Sequence, residues 1–492
     1  MRPTSTKFAR ASDSDSCVAA NRASDSVEQS ALATSGKNAA HVALPRLNCT
    51  EDDALFRNAE ILDRLSRRFP TREDPELGSL VRPSDREEPV QRLFHYREGY
   101  TVELCRRFIS EEEGGVFDPF CGFGSTLLAA KQLGIRSVGF DVNPLAAFVS
   151  RVKTEDYAEA DLRALELLLE RLAELRADSP LAPKPALRII DRLFHPEILN
   201  ALNVFKYEIL RCESPKAKDL AFACWLSVLE GVSNVFREGN GVKYRNRLRR
   251  GNVYTVRPYN EWAEAYFPND KFGFVLKRLS DCLGTAMADV KTGGYGPPAE
   301  VFERDALQID QVVPSASVSL AMFSPPYCNL FNYIKAYKLE LWMGGFLNSY
   351  SDIQSLTAKG IRSRLEGLRK EPDSSLLPEA AEIANLISQS QLWSDALPDV
   401  VRGYFTDMTA ALSSLHEALR PEGRTIVVVG NSALAGVLIP TDLLLSAAAE
   451  KIGFSVANIS VARHLTTSSQ QKKRLGPLRA YMRESIITLE KQ

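Results

Sequence analysis

The stretch GGVFDPFCGFGSTLLAAKQLGIRSVGFDVNP, residues 114–144, constrains the fold of this chain more than any other part of its sequence. It predicts a short strand, a glycine-rich turn, a helix of strong helix formers, and a second strand that ends at Asp141. Connections as short as these favour a right-handed parallel crossover between the two strands. We therefore expect an α/β fold built on a parallel sheet.

A second stretch, MFSPPYCNLFNY, marks the point where another strand of that sheet ends. The apolar run from Val318 to Phe323 predicts a buried strand. Pro325 and Pro326 stop this strand because proline cannot donate a hydrogen bond to a sheet ladder. Ser324 is therefore expected at the carboxyl edge of the sheet, which is where ligands bind in open α/β folds.

The strand pattern is interrupted between the two stretches. Residues 156–298 carry leucines at helical spacing and predict mostly helices, and strand-like patterns return after them. Residues 1–45 are rich in Ser, Ala and Asn and predict a disordered leader. We therefore divide the remainder into a first part of the α/β domain at 46–155, an inserted region at 156–298, and a second part of the α/β domain at 299–492.

Composition excludes several classes of protein. The formal net charge of the 492 residues is −1, so a nucleic-acid partner must be bound by local basic patches. Eight cysteines are scattered without a C-x-x-C pair, and no histidine cluster accompanies them, which argues against zinc and against a disulfide scaffold. No apolar stretch approaches the length of a membrane span. We expect a cytoplasmic protein with no metal and no membrane partner.

Three acids follow three of the predicted strands: Asp118, Asp141 and Asp305. Gly122 and Gly124 in the turn let the backbone approach a ligand closely, and no Lys or Arg is present there to bind phosphate. We expect Asp118 to face a cationic or amino group, Asp141 to accept from ribose hydroxyls, and Asp305 to accept from an adenine amine. S-adenosyl-L-methionine, a nucleoside that carries an amino acid, fits this set. The alternative is a plain tight turn with helix-capping acids.

The chain resembles the S-adenosylmethionine-dependent DNA amino-methyltransferases. DPFCGFGST resembles motif I of that family and SPPY its motif IV, while LFHYREGY, FDVNP and ERDA are similar to motifs X, II and III. The resemblance covers roughly 90–155 and 300–492. It implies a Rossmann-like seven-stranded methyltransferase sheet with a mostly helical inserted domain. It also implies a set of cofactor-binding residues: Phe94, Tyr96, Asp118, Phe120, Gly122, Gly124, Ser125, Thr126, Asp141, Asn143, Asp305 and Ala306.

The SPPY motif is expected to carry the chemistry that the resemblance implies; its residues are Ser324, Pro325, Pro326 and Tyr327. An exocyclic amine is a weak nucleophile because its lone pair is delocalised into the ring. We expect the Ser324 Oγ and the Pro325 carbonyl to accept from the amine and so free this lone pair. Tyr327 is expected to stack on a base that has left the duplex. The transfer is then direct, without a covalent intermediate.

The first residue of the motif favours one target base. Serine is typical of family members that methylate cytosine N4, whereas aspartate or asparagine is usual in those that methylate adenine N6. We therefore expect a cytosine-N4 enzyme. Three alternatives stay open: an adenine-N6 enzyme, an RNA base methyltransferase, and an inactive protein of this fold that only binds nucleic acid.

The inserted region contains a basic stretch, FREGNGVKYRNRLRRGN, that predicts contacts with double-stranded DNA. Lysine and arginine neutralise phosphates, and arginine or asparagine reads base edges in a groove. The predicted DNA-binding residues are Arg237, Lys243, Tyr244, Arg245, Arg247 and Arg249, with Asn246 lying between them. We therefore assign target recognition to 156–298 and name a cognate restriction endonuclease as a further candidate partner. The alternative is a solvated basic loop.

Overall fold

The computed structural model describes residues 53–82, 88–95, 98–109, 114–238, 241–250, 253–292, 296–368, 376–390, 392–466 and 473–492. The leader predicted at 1–45 lies outside these ranges. The strands are β1 Arg72–Glu73, β2 Val116–Asp118, β3 Ser137–Asp141, β4 Val235–Glu238, β5 Gly241–Tyr244, β6 Arg247–Arg250, β7 Val253–Val256, β8 Glu300–Glu303, β9 Val318–Phe323, β10 Leu419–Gly430, β11 Ser432–Leu434, β12 Val437–Ile439, β13 Phe454–His464 and β14 Arg483–Lys491.

Helices surround these strands. The α-helices are Asp53–Arg68, Val102–Phe108, Ser125–Gln132, Pro144–Thr154, Glu159–Glu174, Ile190–Leu193, Pro196–Leu210, Pro215–Val228, Tyr259–Tyr266, Lys271–Thr292, Tyr333–Ala336, Lys338–Gly344, Tyr350–Thr357, Pro378–Ser388, Leu397–Ala418 and Thr441–Ile452. Short 3₁₀ helices lie at Pro75–Ser79, Gln91–Leu93, Glu230–Val232, Ala306–Gln311 and Gly476–Tyr481. Within the described ranges, no helix combines the length and the apolar character that crossing a membrane requires.

The central sheet has eight strands in the order β1-β13-β14-β10-β9-β2-β3-β8. Its neighbours are parallel except where β14 pairs with β10 and β13, and those two pairings are antiparallel. This arrangement confirms the predicted Rossmann-like α/β fold. The predicted number of strands, seven, is one too few. The additional strand is β1, where Arg72 and Glu73 pair with β13 at the edge of the sheet. A two-residue strand is too short to leave a periodic pattern in a sequence.

The strands that carry the sequence motifs lie side by side in the middle of the sheet. β2 is flanked by β3 on one side and by β9 on the other, and all three run parallel. Every residue of β2 and β9 is buried, as the apolar run from Val318 to Phe323 predicts. Because parallel strands end at the same edge of a sheet, Asp118, Asp141 and Ser324 meet at one edge.

The segment 156–298 is mostly helical, as predicted, and its helices form part of one large hydrophobic cluster. Leu168, Trp225 and Leu279 from this segment belong to the same cluster as Phe148 and Trp342 from outside it. The segment therefore packs against helices Pro144–Thr154 and Lys338–Gly344. Its bounds as a separate domain, and its assignment to target recognition, stay predictions.

Candidate active site

An open cleft at the carboxyl edge of the sheet brings the two motifs together. Gly122 and Ser324, which are far apart in the chain, both line it. The predicted residues that line it are Asp118, Phe120, Gly122, Ser125, Asp141, Asn143, Asp305, Ala306, Ser324, Pro325 and Pro326.

The glycine-rich turn has a backbone that requires glycine. Gly122 and Gly124 have φ of +51° and +84°, a region that side-chain-bearing residues seldom occupy. A Cβ on Gly124 would also lie 3.0 Å from the Ser150 Oγ. The Gly122 amide donates to the Asp141 Oδ2 over 3.0 Å, which ties the turn to the end of the neighbouring strand. The turn is thereby held against the wall of the cleft.

Two of the predicted acids lie close together in this wall. Asp118 is only 1% exposed, and its Oδ1 accepts from the Phe120 amide over 2.9 Å. Burial, and to a smaller extent the nearby charge of Asp141, raise the pKa of Asp118 to about 7 against opposing hydrogen bonds, the first of them from Thr126. Burial likewise raises the pKa of Asp141 to about 6, although backbone hydrogen bonds from Asn143 and Gly122 oppose the rise. This region therefore favours a cationic ligand, which would stabilise both ionised carboxylates.

The third acid, Asp305, has structural contacts as well as a place in the lining. Its Oδ1 accepts from the Leu307 amide over 3.0 Å at the start of a 3₁₀ helix, and its Oδ2 accepts from the Gly360 amide over 2.9 Å. Asn143 similarly caps helix Pro144–Thr154 by accepting from Leu145. The capping alternative thus describes part of what both residues do. The role of Asp305 toward adenine stays a prediction.

Three predicted cofactor residues lie behind the lining. Phe94 is buried and packs edge-on against Phe123, with ring centroids 4.8 Å apart. The Thr126 hydroxyl is 2.6 Å from the Tyr100 hydroxyl and donates to the Met322 carbonyl over 3.4 Å. Gly124 begins helix Ser125–Gln132. These residues position the lining without forming it, and Tyr96 lies outside the described residues.

The tyrosine of the SPPY motif is not where we predicted it. Tyr327 does not line the cleft, because its ring packs against Gly430 and its hydroxyl donates to the Glu484 Oε1 over 2.5 Å. The prediction that Tyr327 stacks on the target base is therefore not supported by this placement. Tyr333 lines the cleft beside Ser324 instead and is the better candidate for that contact.

Several lining residues were missed by the sequence analysis. Glu98 and Tyr100 belong to LFHYREGY, so an acid and a second tyrosine within that motif were available signals. Tyr333 ends the quoted stretch that contains SPPY. Arg364 follows a helix that no motif marks, and its burial lowers its pKa. Nothing local in the sequence points to Arg364.

The basic stretch of the inserted region forms two antiparallel hairpins, β4–β5 and β6–β7. Asn234 and Asn246 join the two hairpins. The backbone amide of Asn246 donates to the Asn234 Oδ1 over 3.1 Å, and the Asn234 side-chain amide donates to the Asn246 Oδ1. Both asparagines are buried, so the expectation that Asn246 reads a base edge is wrong for this conformation. Lys243 and Arg247 are exposed, and Arg247 lies 4.5 Å above the Tyr244 ring. The Arg249 side chain lies outside the described part of the chain.

The prediction that Arg237 contacts DNA is not supported, because its side chain is buried among acids and is not available to phosphate. Its side chain is 11% exposed and forms ion pairs with Glu230 and, at 2.5 Å, with Glu340. Its guanidinium also lies 4.3 Å above the ring of Tyr337, whose hydroxyl donates to the cleft-lining Glu98 over 2.9 Å. Arg237 therefore anchors the first hairpin to the wall of the cleft.

A small group of His and Glu side chains lies away from the cleft, at the start of helix Pro196–Leu210. His195 caps this helix by accepting from the Glu197 amide through Nδ1, and its Nε2 lies 2.9 Å from Glu264. Lys271 also pairs with Glu264, at 2.7 Å. Capping and ion pairing account for this group, and the expectation of no metal stays a prediction.

Comparisons with known proteins agree with the motifs in the cleft. A family model described as DNA methylase, of the N6/N4 type, matches residues 79–147. Type II methyltransferase M.BsoBI of Geobacillus stearothermophilus is 25% identical over 445 residues, which are 83% of this chain and 87% of the relative. M.AvaI of Nostoc sp. PCC 7120 is 25% identical over 406 residues, which are 77% of this chain and 82% of the relative. M.MvaI of Kocuria varians is 21% identical over 416 residues, which are 79% of this chain and 87% of the relative.

One solved structure also aligns over most of the chain. It is the rRNA methyltransferase aviRa from Streptomyces viridochromogenes. The alignment covers 81% of this chain and 89% of the aviRa chain. The sequence identity is 10% and the TM-score is 0.24, so the alignment bears on neither fold nor function.

Proposed function

This chain belongs to the N6/N4 DNA methylase family, and from that premise we propose that it methylates the exocyclic N4 of a cytosine flipped out of double-stranded DNA. S-adenosyl-L-methionine is the proposed methyl donor. The observation that carries the proposal is that the Gly122 turn and Ser324 line one cleft. A methyl donor held at the turn and an amine held at Ser324 can then meet.

The residues of the cleft fit S-adenosyl-L-methionine, which supplies an electrophilic methyl group on a positively charged sulfonium. Asp118 and Asp141 have raised pKa values because burial leaves their charge poorly compensated. A ligand with a sulfonium and an ammonium group provides that compensation. Gly122 and Gly124 keep the turn free of side chains, so a ligand can approach the backbone.

The choice of cytosine rests on Ser324. The Ser324 Oγ and the Pro325 carbonyl accept hydrogen bonds from the N4 amine, which draws the nitrogen toward tetrahedral geometry and frees its lone pair. Both residues line the cleft, and Tyr333 lies beside them to stack on the base. Burial raises the pKa of the Cys121 and Cys328 thiols, so neither provides the thiolate that a covalent route needs. Transfer is direct.

Lys243, Arg245 and Arg247, with Arg249, are the proposed contacts to DNA phosphates. Lys243 and Arg247 are exposed on the two hairpins, the first of which Arg237 anchors to the cleft wall, so DNA bound there would lie near the target site. The relatives that match most of this chain are named type II methyltransferases. By analogy we assign the protein to a restriction–modification pair with a cognate endonuclease.

Free thiols at all six described cysteines fit a reducing cytoplasm.

The test is methyl transfer from isotopically labelled S-adenosylmethionine to DNA and RNA, followed by digestion and mass analysis of the nucleosides. Genomic DNA from a host without methylation supplies the unknown recognition sequence. N4-methylcytosine is the expected product. N6-methyladenine would contradict the choice of base, label confined to RNA would contradict the choice of substrate, and no transfer would indicate an inactive binding protein.

A further inference from the structure

A buried arginine lies in the wall of the cleft. Arg364 lines the cleft and is only 5% exposed. The other two basic residues of the described lining, Arg304 and Lys359, are exposed. Arg364 is therefore the basic side chain of this lining from which water is largely excluded, and its donors meet a ligand without competition from solvent.

The protein satisfies only part of the Arg364 guanidinium. Its Nη2 donates to the Thr357 carbonyl, but its buried Nε has no hydrogen-bond partner among the described residues. No carboxylate in those ranges forms an ion pair with it, and Glu366 pairs instead with Lys335 at 2.6 Å. Burial lowers the pKa of Arg364, and the charge of Glu366 opposes this change only in part. Because a buried cation with unused donors is costly, its presence in a cleft indicates a ligand that supplies acceptors.

The position of Arg364 is fixed by contacts of its neighbours in the chain. The Ser363 carbonyl accepts from the Leu330 amide over 3.2 Å, and Leu330 belongs to the loop that follows the SPPY motif. The buried side chain of Arg362 forms an ion pair with Asp407 at 2.7 Å. Arg364 is thereby held next to the loop that continues from the motif.

The base proposed for this cleft presents the acceptors that Arg364 lacks. Cytosine carries its N4 amine on the same edge as two acceptors, the ring N3 and the O2 carbonyl. Ser324 and Pro325 are proposed to accept from the amine, so N3 and O2 need donors from elsewhere in the cleft. A guanidinium presents paired N–H groups in a planar fork, which matches two neighbouring acceptors.

We propose that Arg364 is a specificity-determining residue that donates to N3 and O2 of the flipped cytosine. The inference rests on the function proposed for the cleft and goes beyond it by naming the residue that distinguishes cytosine from adenine. Adenine with its amine at Ser324 presents N1 as the one acceptor beside that amine. Part of the buried guanidinium would then stay unpaired, which is how a site built for hydrogen bonding rejects an analogue.

The test is Arg364→Met in the whole protein, with duplexes that carry 3-deazacytosine in place of the target cytosine. This analogue keeps the amine and O2 but lacks the N3 acceptor. Mapping of methylated genomic DNA first identifies the recognition sequence. The preference of the unaltered protein for cytosine over the analogue, as a ratio of kcat/KM values, should fall by roughly 10- to 100-fold in Arg364→Met. Comparing the ratios cancels the intrinsic reactivity of the analogue, because both proteins meet the same two substrates.

The control variant is Arg163→Met, which removes an exposed arginine that pairs with Glu159 and does not line the cleft. It should leave the preference unchanged. Arg364→Lys keeps the charge and replaces the fork by a single ammonium, so its preference should lie between those of the unaltered protein and Arg364→Met. Unfolding midpoints identify any general loss of fold, and Arg364→Lys carries the test if Arg364→Met does not fold.

An unchanged preference in Arg364→Met, or a full preference in Arg364→Lys, would overturn the proposal. A loss of S-adenosylmethionine affinity in parallel with rate would also overturn it, because Arg364 would then bind the carboxylate of the cofactor. N6-methyladenine from the unaltered protein, or no product, would contradict the proposed function itself. N4-methylcytosine together with an unchanged preference in Arg364→Met would contradict only the role of Arg364.

Discussion

The backbone amide of Gly122 donates a 3.0 Å hydrogen bond to the Oδ2 of Asp141. This bond joins the turn after β2 to the end of β3, and both residues line the cleft. It ties the acid to the turn, next to Asp118, where the charge of Asp141 adds to the cost of ionising Asp118. The electrostatics of the cleft therefore follow from the way the two motifs are joined.

The first prediction concerns the pH dependence of cofactor binding. The pKa of Asp118 is about 7 and that of Asp141 about 6, and a cationic ligand favours their ionised forms. Affinity for S-adenosylmethionine should therefore rise with pH, by at least about 10-fold between about pH 5 and pH 8. Calorimetric titration across this range measures the effect.

Asp118→Asn should weaken binding near pH 8 and flatten the pH profile, because the charge that titrates is gone. Asp310→Asn, which changes an exposed acid that does not line the cleft, is the control. A profile that is flat in the unaltered protein would show that these acids do not bind the cationic part of the cofactor.

The second prediction is that the same Asp118→Asn change stabilises the cofactor-free protein at neutral and alkaline pH. The pKa of Asp118 is about 7 in the folded state against an ordinary 3.8, so folded protein binds the proton more tightly than unfolded protein does. Stability is then lost as pH rises from about 4 to about 7, by up to about 4 kcal/mol. Urea unfolding should show a gain for the variant near pH 8 and little difference near pH 4. A less stable variant at pH 8 would contradict the burial of this charge.

A third prediction distinguishes the two roles considered for Arg237. Arg237→Met leaves Glu340, whose side chain is 2% exposed, as an unpaired buried acid. The free energy of unfolding should fall by about 3–5 kcal/mol. Lys243→Met, on the same hairpin but paired with an exposed Glu238, should cost no more than about 1 kcal/mol. Equal stability of the two variants, with weaker DNA binding by Arg237→Met, would restore the phosphate-binding role.

The fourth prediction concerns the hairpins and DNA. Lys243→Met and Arg247→Met should each weaken binding of a labelled duplex and make the slope of log affinity against log salt shallower by about 1. Lys277→Met, which removes an exposed lysine of helix Lys271–Thr292, is the control. Unchanged slopes for both hairpin variants would favour the solvated basic loop over a DNA contact.

Much of the fold and part of the site could be predicted from sequence because the signals are local. β2, the turn and β3 are contiguous, and the turn needs glycine at Gly122 and Gly124 for backbone reasons alone. Ser324 was predicted at the sheet edge because two prolines end its strand. Each of these inferences used only neighbours in the chain.

The rest could not be predicted because it depends on partners that are distant in sequence. Tyr327 is held outside the cleft by Glu484, 157 residues later. Arg237, on strand β4, is paired with the buried Glu340 of helix Lys338–Gly344, and nothing in the basic stretch indicates this partner. Charge and motif type indicated what these side chains can do, but only the packing decides which partner each one meets.

The measurement that tests the account most directly is the comparison of Ser324→Ala with the unaltered protein, for single-turnover methyl transfer and for cofactor affinity. If Ser324 holds the target amine across the cleft from the Gly122 turn, the rate should fall by at least about 100-fold. Affinity for S-adenosylmethionine should stay within about twofold, because the proposed cofactor contacts are made by the turn and its acids and not by Ser324. A Ser324→Ala protein that methylates DNA at the normal rate would contradict the account.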